Sequence, residues 1–198
     1  GNVKLSNGSG TATFAVAGTR GSTFEFQAKA DITPERYQIT GNGQFEGRKL
    51  SLTRALELRR VSDGWTASPT TLSYGSGTAR MSGHLGNGNS RLDMSLAKMP
   101  LSLLDIAYPD LGLGGSVNGS VNLTQSGSQV PVGEAKLTVK GLTRSGLILT
   151  SAPVDLGLNI AISRSNAAAR GIIKSPAGQT LGRFQGRVTG LGGGRWQD

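Results

Sequence analysis

Residues 154–162 read Val-Asp-Leu-Gly-Leu-Asn-Ile-Ala-Ile, and this stretch decides the fold class. Large aliphatic side chains occupy every second position: Val154, Leu156, Leu158, Ile160 and Ile162. In extended backbone, successive side chains point to opposite sides, so all five share one face of a strand. A helix would distribute them around its circumference. We therefore predict a β-strand with one apolar face and one polar face.

Weaker copies of this alternation run along most of the chain. They include the pairs Phe14 and Val16, Phe24 and Phe26, Leu137 and Val139, and Leu147 and Leu149, and the triplet Leu92, Met94 and Leu96. Turn signals such as Asn7-Gly8, Asp63-Gly64 and Asn87-Gly88 separate the copies, and Pro69 is expected at a corner between two of them. Short alternating runs between turn signals are typical of an antiparallel all-β meander.

The composition favours a thin β structure over a compact one. The 198 residues include 31 glycines, only 36% are hydrophobic and 5% are aromatic. Glycine disfavours helix, and so few apolar residues make a large core hard to build. We therefore expect one elongated antiparallel curved sheet in which each strand contacts only its neighbours.

The alternation stops at residues 99–108, Met-Pro-Leu-Ser-Leu-Leu-Asp-Ile-Ala-Tyr. Pro100 suits a first helical turn, and Tyr108 is disfavoured in a helix because it precedes Pro109. We predict one short helix near residues 100–108. It either covers the sheet and blunts one end, or lies in a groove and gates it. The chain then divides into a first β segment (1–98), the helix (99–109) and a second β segment (110–198), while residues 49–61 fit either strand or helix.

Positive charge is concentrated in the last third of the chain. The net charge is +9, from 21 basic and 12 acidic residues, and residues 135–198 contribute nine Lys or Arg against two acids, or +7. These cations either form a solvated outer face, attract anionic phospholipid headgroups, or bind nucleic acid. Because this third of the chain has too few aromatic residues among its cations to stack a series of bases, we expect no nucleic-acid partner.

Residue patterns for catalysis or metal binding are missing from the sequence. There is no nucleotide-binding loop and no nucleophile elbow, and cysteine is absent. His84 is the only histidine and has no carboxylate near it in sequence, while Asp105 and Asp110 suit a solvated position and a turn. We expect no enzyme activity, no cofactor and no metal. The chain also has no signal peptide and no transmembrane run, so we expect a fragment of a larger protein.

Three stretches resemble the TamB family, inner-membrane components of the translocation and assembly module of Gram-negative bacteria. They are residues 94–104 (Met-Ser-Leu-Ala-Lys-Met-Pro-Leu-Ser-Leu-Leu), 112–123 (Gly-Leu-Gly-Gly-Ser-Val-Asn-Gly-Ser-Val-Asn-Leu) and 133–142 (Gly-Glu-Ala-Lys-Leu-Thr-Val-Lys-Gly-Leu). Residues 153–160 and 181–188 are also similar to its strands. The resemblance covers about residues 90–190, and related AsmA-like proteins share the same general sequence pattern.

The resemblance implies a long periplasmic β-sheet folded lengthwise into an open groove. It implies phospholipid passage between the inner and outer membranes, support of outer-membrane protein assembly, and pairing with an outer-membrane barrel of the Omp85 type. The family also carries a membrane anchor at its N-terminus, which would place the inner-membrane anchor of the full-length protein outside this chain.

The apolar rows are the candidate lining of such a groove, where phospholipid acyl chains would be sheltered from water. The candidates are Phe14, Val16, Phe24, Phe26, Leu92, Met94, Leu96, Leu137, Val139, Leu147, Leu149, Val154, Leu156, Leu158, Ile160 and Ile162. The plain alternative is an ordinary core between two sheets or inside a closed barrel. A second functional hypothesis is a module that pairs an open sheet edge with a client strand or a partner barrel. A third and less favoured hypothesis is that the chain is a piece of an outer-membrane barrel or of a secreted β-helix.

Overall fold

The computed structural model describes residues 1–20, 22–106, 108, 111–145 and 151–190. This part of the chain forms fourteen strands and one short 3₁₀ helix. The strands are β1 (Asn2–Ser6), β2 (Ser9–Arg20), β3 (Ser22–Thr33), β4 (Arg36–Phe45), β5 (Arg48–Arg54), β6 (Leu56–Val61), β7 (Gly64–Tyr74), β8 (Gly77–Gly86), β9 (Asn89–Pro100), β10 (Leu113–Ser126), β11 (Val132–Arg144), β12 (Val154–Ile162), β13 (Asn166–Lys174) and β14 (Thr180–Thr189), and the helix spans Leu101–Ile106.

All fourteen strands belong to one curved antiparallel sheet. Strands that follow one another in sequence pair in space, except that β5 and β6 act as two halves of one strand between β4 and β7. Among the described residues, β1 and β14 have no partner on their outer sides and do not pair with each other. The predicted all-β curved sheet is confirmed. A two-sheet sandwich and a closed barrel do not describe it.

The strand register brings the apolar rows into line across the sheet. One such row reads Leu52, Leu72, Ala79, Leu96, Gly119, Leu137, Leu158, Gly171 and Phe184, from β5 to β14. Directly opposite residues point to the same side of a sheet, and a slip by one residue would move a whole strand's set to the other face. The register therefore separates one apolar face from one polar face over nearly the whole molecule.

The buried core is small and lies at one margin of the apolar face. Its members are Phe45, Leu50, Tyr74, Ala79, Met99, Val117 and Val139. Leu101 and Leu103 of the helix pack against this cluster, and the Tyr74 hydroxyl lies 3.3 Å from the Ser102 hydroxyl. The helix thus covers one margin of the sheet, the margin opposite the Asp63 and Asn87 turns.

The helix is shorter than predicted. It is a 3₁₀ helix of six residues, and Pro100 ends β9 instead of opening the helix. Beyond the helix, the Tyr108 N–H donates to the Leu104 carbonyl at 2.9 Å. The Asp105 carboxylate accepts a hydrogen bond from the Gly112 N–H at 3.3 Å and thereby joins the helix to the start of β10.

Two sequence interpretations change in the structure. Pro69 was expected at a corner between two short strands, but it lies inside β7, at a register shift between Ala67 and Thr70. A bulge leaves a residue outside the ladder, so a residue without an N–H fits there. Residues 49–61, which fitted strand or helix, are strands β5 and β6. The predicted strand at residues 146–150 lies outside the described residues.

Gly119 marks a position where the apolar face admits no side chain. Its φ is +145°, and a Cβ there would overlap the Lys136 carbonyl oxygen and come within 2.9 Å of the Leu137 Cα. We expect Gly119→Ala to lower the free energy of unfolding by about 1–3 kcal/mol, because fixed backbone would have to move. In Gly186→Ala, on the same face of β14, the new Cβ meets nothing within 4 Å. Urea denaturation should show a large loss for the first variant only.

Asp155 makes the stability of the sheet depend on pH. Its carboxylate accepts hydrogen bonds from the Lys140 ammonium at 2.6 Å and from the Gly141 N–H at 3.0 Å, and both lower the pKa of this carboxyl from its usual value. A lowered pKa adds stability above about pH 4, and this is lost as the pH falls through the folded-state pKa.

We therefore expect Asp155→Asn to lower the melting temperature at neutral pH and to lose this effect in acid. Asp31→Asn is the matched control, because the Lys29–Asp31 pair is 57% and 51% exposed and contributes little. Melting curves recorded across the acid range measure both variants. An Asp155→Asn deficit that stayed constant with pH would contradict the assignment.

Candidate apolar groove

All the predicted lining residues that the structure describes lie on the same face of the sheet. The register connects them through direct cross-strand partners: Val16 faces Phe26, Leu96 and Leu137 both face Gly119, and Leu137 faces Leu158. Leu147 and Leu149 lie outside the described residues. We name this side the groove face and the opposite side the outer face. A role of these residues in ligand binding stays a prediction.

The groove face is partly open to solvent. Val139 is only 8% exposed beside the helix, but Phe14 is 57% exposed, Leu92 is 37% exposed and Val188 is 56% exposed. In the described part of the chain, every closely packed pair of elements is either two sheet neighbours or β10 with the helix. All described strands belong to one sheet, so no separate sheet covers the groove face, and side chains such as Phe14 and Leu92 remain accessible.

The groove face includes an apolar cavity of about 640 Å³ that extends from β4 to β10. Its apolar lining comes from Tyr37, Leu52, Leu56, Leu58, Trp65, Ala67, Met81, Leu85, Leu92, Leu123 and Pro131. This volume falls within the range of roughly 300–1,000 Å³ that is usual for small-molecule sites. The cavity can therefore hold a sizeable apolar ligand without any rearrangement of the sheet.

The sequence analysis missed most of this lining. Of the candidate residues, only Leu92 reaches the cavity. The signal was present at Leu50, Leu52, Leu56 and Leu58, which alternate like a strand. It was left undecided because the charged residues between them also suit a helix, and residue 55 interrupts the alternation between β5 and β6.

Two aromatic rings form a flat surface in the cavity. Tyr37 and Trp65 stack with ring centroids 4.7 Å apart and planes 17° apart. They project from β4 and β7, on either side of β6. Stacked rings combine a large apolar area with polar tips, a combination suited to the boundary between an acyl chain and water.

Charged side chains gather on the outer face. The register places the Lys29–Asp31, Arg91–Asp93 and Lys136–Glu134 pairs there, with N–O distances of 3.3, 2.6 and 3.2 Å. These pairs are solvated and contribute little stability, but they show where charge is tolerated. Arg91 and His84 also contribute to the lining of the cavity, but elsewhere an apolar ligand on the groove face meets few charged groups that would fix it at one place.

His84 belongs to the outer face as well. Its Nε2 lies 3.1 Å from an Asp63 carboxylate oxygen, and its Nδ1 lies 3.3 Å from the Thr66 hydroxyl. The sequence analysis found no carboxylate near His84 because Asp63 is brought to it only by the pairing of β7 with β8. In the described part of the chain, no group of three or more potential metal ligands occurs.

Trp65 should report occupation of the cavity. Trp196→Phe leaves Trp65 as the only tryptophan, since the chain has two. We expect a phospholipid with a brominated acyl chain to quench its fluorescence, because contact quenching requires the bromine to reach the cavity. Adding Leu123→Arg should abolish the quenching, and the matched Asn122→Arg on the outer face should preserve it. Unquenched Trp65 at saturating lipid would contradict an acyl-chain site here.

Among the residues that the structure describes, no helix has the length and apolar character needed to cross a membrane. Comparison with known proteins adds no relative, because no family model, no curated protein and no solved structure matches the chain. The functional argument therefore depends on the groove face itself.

Proposed function

We propose that this chain is a groove-forming segment of a periplasmic bridge protein of the TamB kind, which moves phospholipids between the inner and outer membranes. The observation that carries the proposal is an apolar face that crosses a single sheet and keeps exposed large apolar side chains in the described residues. Soluble proteins rarely leave large contiguous apolar surfaces exposed without a ligand or partner for them. Phospholipid acyl chains fit this face in chemistry, because both are apolar.

The physical basis is the removal of acyl chains from water. Each sheltered CH₂ gains about 0.8 kcal/mol over water, so a lipid is held when most of an acyl chain is sheltered on the groove face. The contact is non-directional and the groove face carries few charges. A lipid therefore has no single preferred position along the rows, and it can shift from strand to strand.

The helix and the turns give the groove two unlike margins. Leu101 and Leu103 close one margin by packing on the buried cluster, whereas Leu85 and Leu92, toward the other margin, are 68% and 37% exposed. In our proposal the acyl chains lie on the groove face, and the headgroup stays in water at the open margin. The helix acts as a fixed cover of the groove wall instead of a gate.

The cellular setting comes from the family resemblance. A periplasmic location, an inner-membrane anchor outside this chain, an Omp85-type barrel as outer-membrane partner and support of outer-membrane protein assembly are parts of the same proposal. The exposed apolar face supports them only indirectly, because a groove for lipid needs a donor and an acceptor membrane at its ends.

Leu158→Arg and Asn159→Arg give a matched test of the groove. Leu158 lies on the groove face of β12 and Asn159 lies on its outer face, so both variants add the same charge to the same strand. We expect native mass spectrometry of membrane-extracted protein to show bound phospholipid in the wild type and in Asn159→Arg. Leu158→Arg should lose most of it while circular dichroism stays unchanged.

Two results would count against the groove. Unfolding of Leu158→Arg would place this residue in a closed core, and repeated absence of phospholipid from the wild-type protein would remove the ligand. Loss of lipid in both variants would mean that added charge, and not its position on the groove face, is responsible.

A second candidate function uses the sheet edges. Among the described residues, β1 and β14 offer unpaired backbone groups, and Val3 and Leu181 near these edges are 63% and 57% exposed. Such edges can pair with a client strand or a partner barrel by β-augmentation. A proline scan along β14 separates the two functions, because edge pairing should fail while the lipid content persists.

A further inference from the structure

The outer face of β13 and β14 carries an unpaired group of cations, which we name the cationic patch. It consists of Arg170, Lys174, Arg183 and Arg187, all exposed. Residues 166–190 contain these four cations and no acidic residue. In contrast, Lys29, Arg91, Lys136 and Lys140 on the outer faces of other strands each have a carboxylate partner.

The register brings these cations together. Arg170 lies opposite Gln185, and Arg183 and Arg187 are two residues to either side of Gln185. They are therefore diagonal neighbours of Arg170, at a Cα spacing of about 7–8 Å. Like charges this close repel each other in the absence of a counterion. An anionic surface placed against the patch would relieve this repulsion.

The carboxylates closest to the patch are already engaged. Asp155 lies opposite Lys174 but accepts hydrogen bonds from Lys140 and Gly141. Glu134 on β11 is bound to Lys136 at 3.2 Å. Arg170, Arg183 and Arg187 therefore have no acidic partner among the described residues, and the patch keeps its positive charge.

The side chains between the cations favour a membrane over nucleic acid. Ile172 lies on the outer face between Arg170 and Lys174 and opposite Arg183. Leu181, at the register shift of β14, is 57% exposed. The single aromatic residue of the two strands, Phe184, lies on the groove face over Gly171. Cations mixed with aliphatic side chains suit lipid headgroups, whereas single-stranded nucleic acid needs aromatic stacking.

We propose that the cationic patch docks the outer face of β13 and β14 on an anionic phospholipid surface. This contact is separate from the groove, since the patch and the groove face lie on opposite sides of the same two strands. Guanidinium groups suit it well, because each can bind phosphate oxygens through two parallel N–H donors. The proposal stands whether or not the groove binds acyl chains.

The test is co-sedimentation of the protein with vesicles. We expect binding to vesicles that contain phosphatidylglycerol, no binding to pure phosphatidylcholine vesicles, and release when salt is raised from about 0.1 M to about 0.5 M. The variant Arg170→Gln/Arg183→Gln/Arg187→Gln should bind on the order of 100-fold more weakly, from roughly fivefold per lost cation. All three side chains are exposed, so circular dichroism should not change.

The matched control removes the same charge from another part of the outer face. Lys4→Gln/Lys49→Gln/Arg80→Gln replaces exposed cations of β1, β5 and β8 that have no ion-pair partner in the described residues, and it should keep most of the binding. Equal losses in the two triple variants would overturn the proposal in favour of net charge alone. It would also be overturned by salt-insensitive binding, by no binding of the wild type, or by tighter binding to single-stranded nucleic acid than to anionic vesicles.

Discussion

The alternation of apolar and polar side chains, carried in register from strand to strand, is the constraint on which the rest of the structure depends. Each strand must direct its apolar residues to the same face as those of the neighbouring strand. An apolar side chain on the opposite face would contact water or charged groups. Register shifts occur in β5, β7, β9, β11 and β14, and in β7, β9 and β11 the apolar residues beyond the shift return to the groove face. The groove face and the cationic patch both follow from this single rule.

Neighbour-only pairing leaves the sheet with little buried volume. Tyr74 is the only large side chain buried below 2% exposure in the described residues, and the buried cluster gathers around it and the helix. Stability is therefore distributed over cross-strand pairs and backbone hydrogen bonds, as in repeat proteins. This explains how a chain with so few large apolar residues can fold while leaving many of them exposed. The apolar side chains that remain available to a ligand are those that the sheet does not have to bury in order to fold.

The sequence predicted the fold class, the single helix and the face of each described candidate residue, because a period of two is a local signal that survives without knowledge of the pairing. The cavity was not predicted, because it is formed by β4 to β10 together and its lining is distant in sequence. The Tyr37–Trp65 stack and the contact of His84 with Asp63 were missed for the same reason. Pro69 was misplaced because a proline at a bulge and a proline at a corner have the same local sequence. The patch cations were visible as a basic third of the chain, but their grouping required the register of β13 with β14.

The order of strands in the sheet has a mechanical consequence. Because β1 and β14 lie at opposite ends of a meander, tension along the sheet from one edge strand to the other would peel hairpins apart from the edges. Antiparallel ladder bonds lie perpendicular to their strands, so a pull applied at the free end of an edge strand loads the bonds nearest that end first and breaks them in sequence. The molecule should therefore yield gradually at low force and close again hairpin by hairpin, since each turn keeps its two strands adjacent. A sheet built in this way can lengthen at its edges while the groove face of the remaining strands stays continuous.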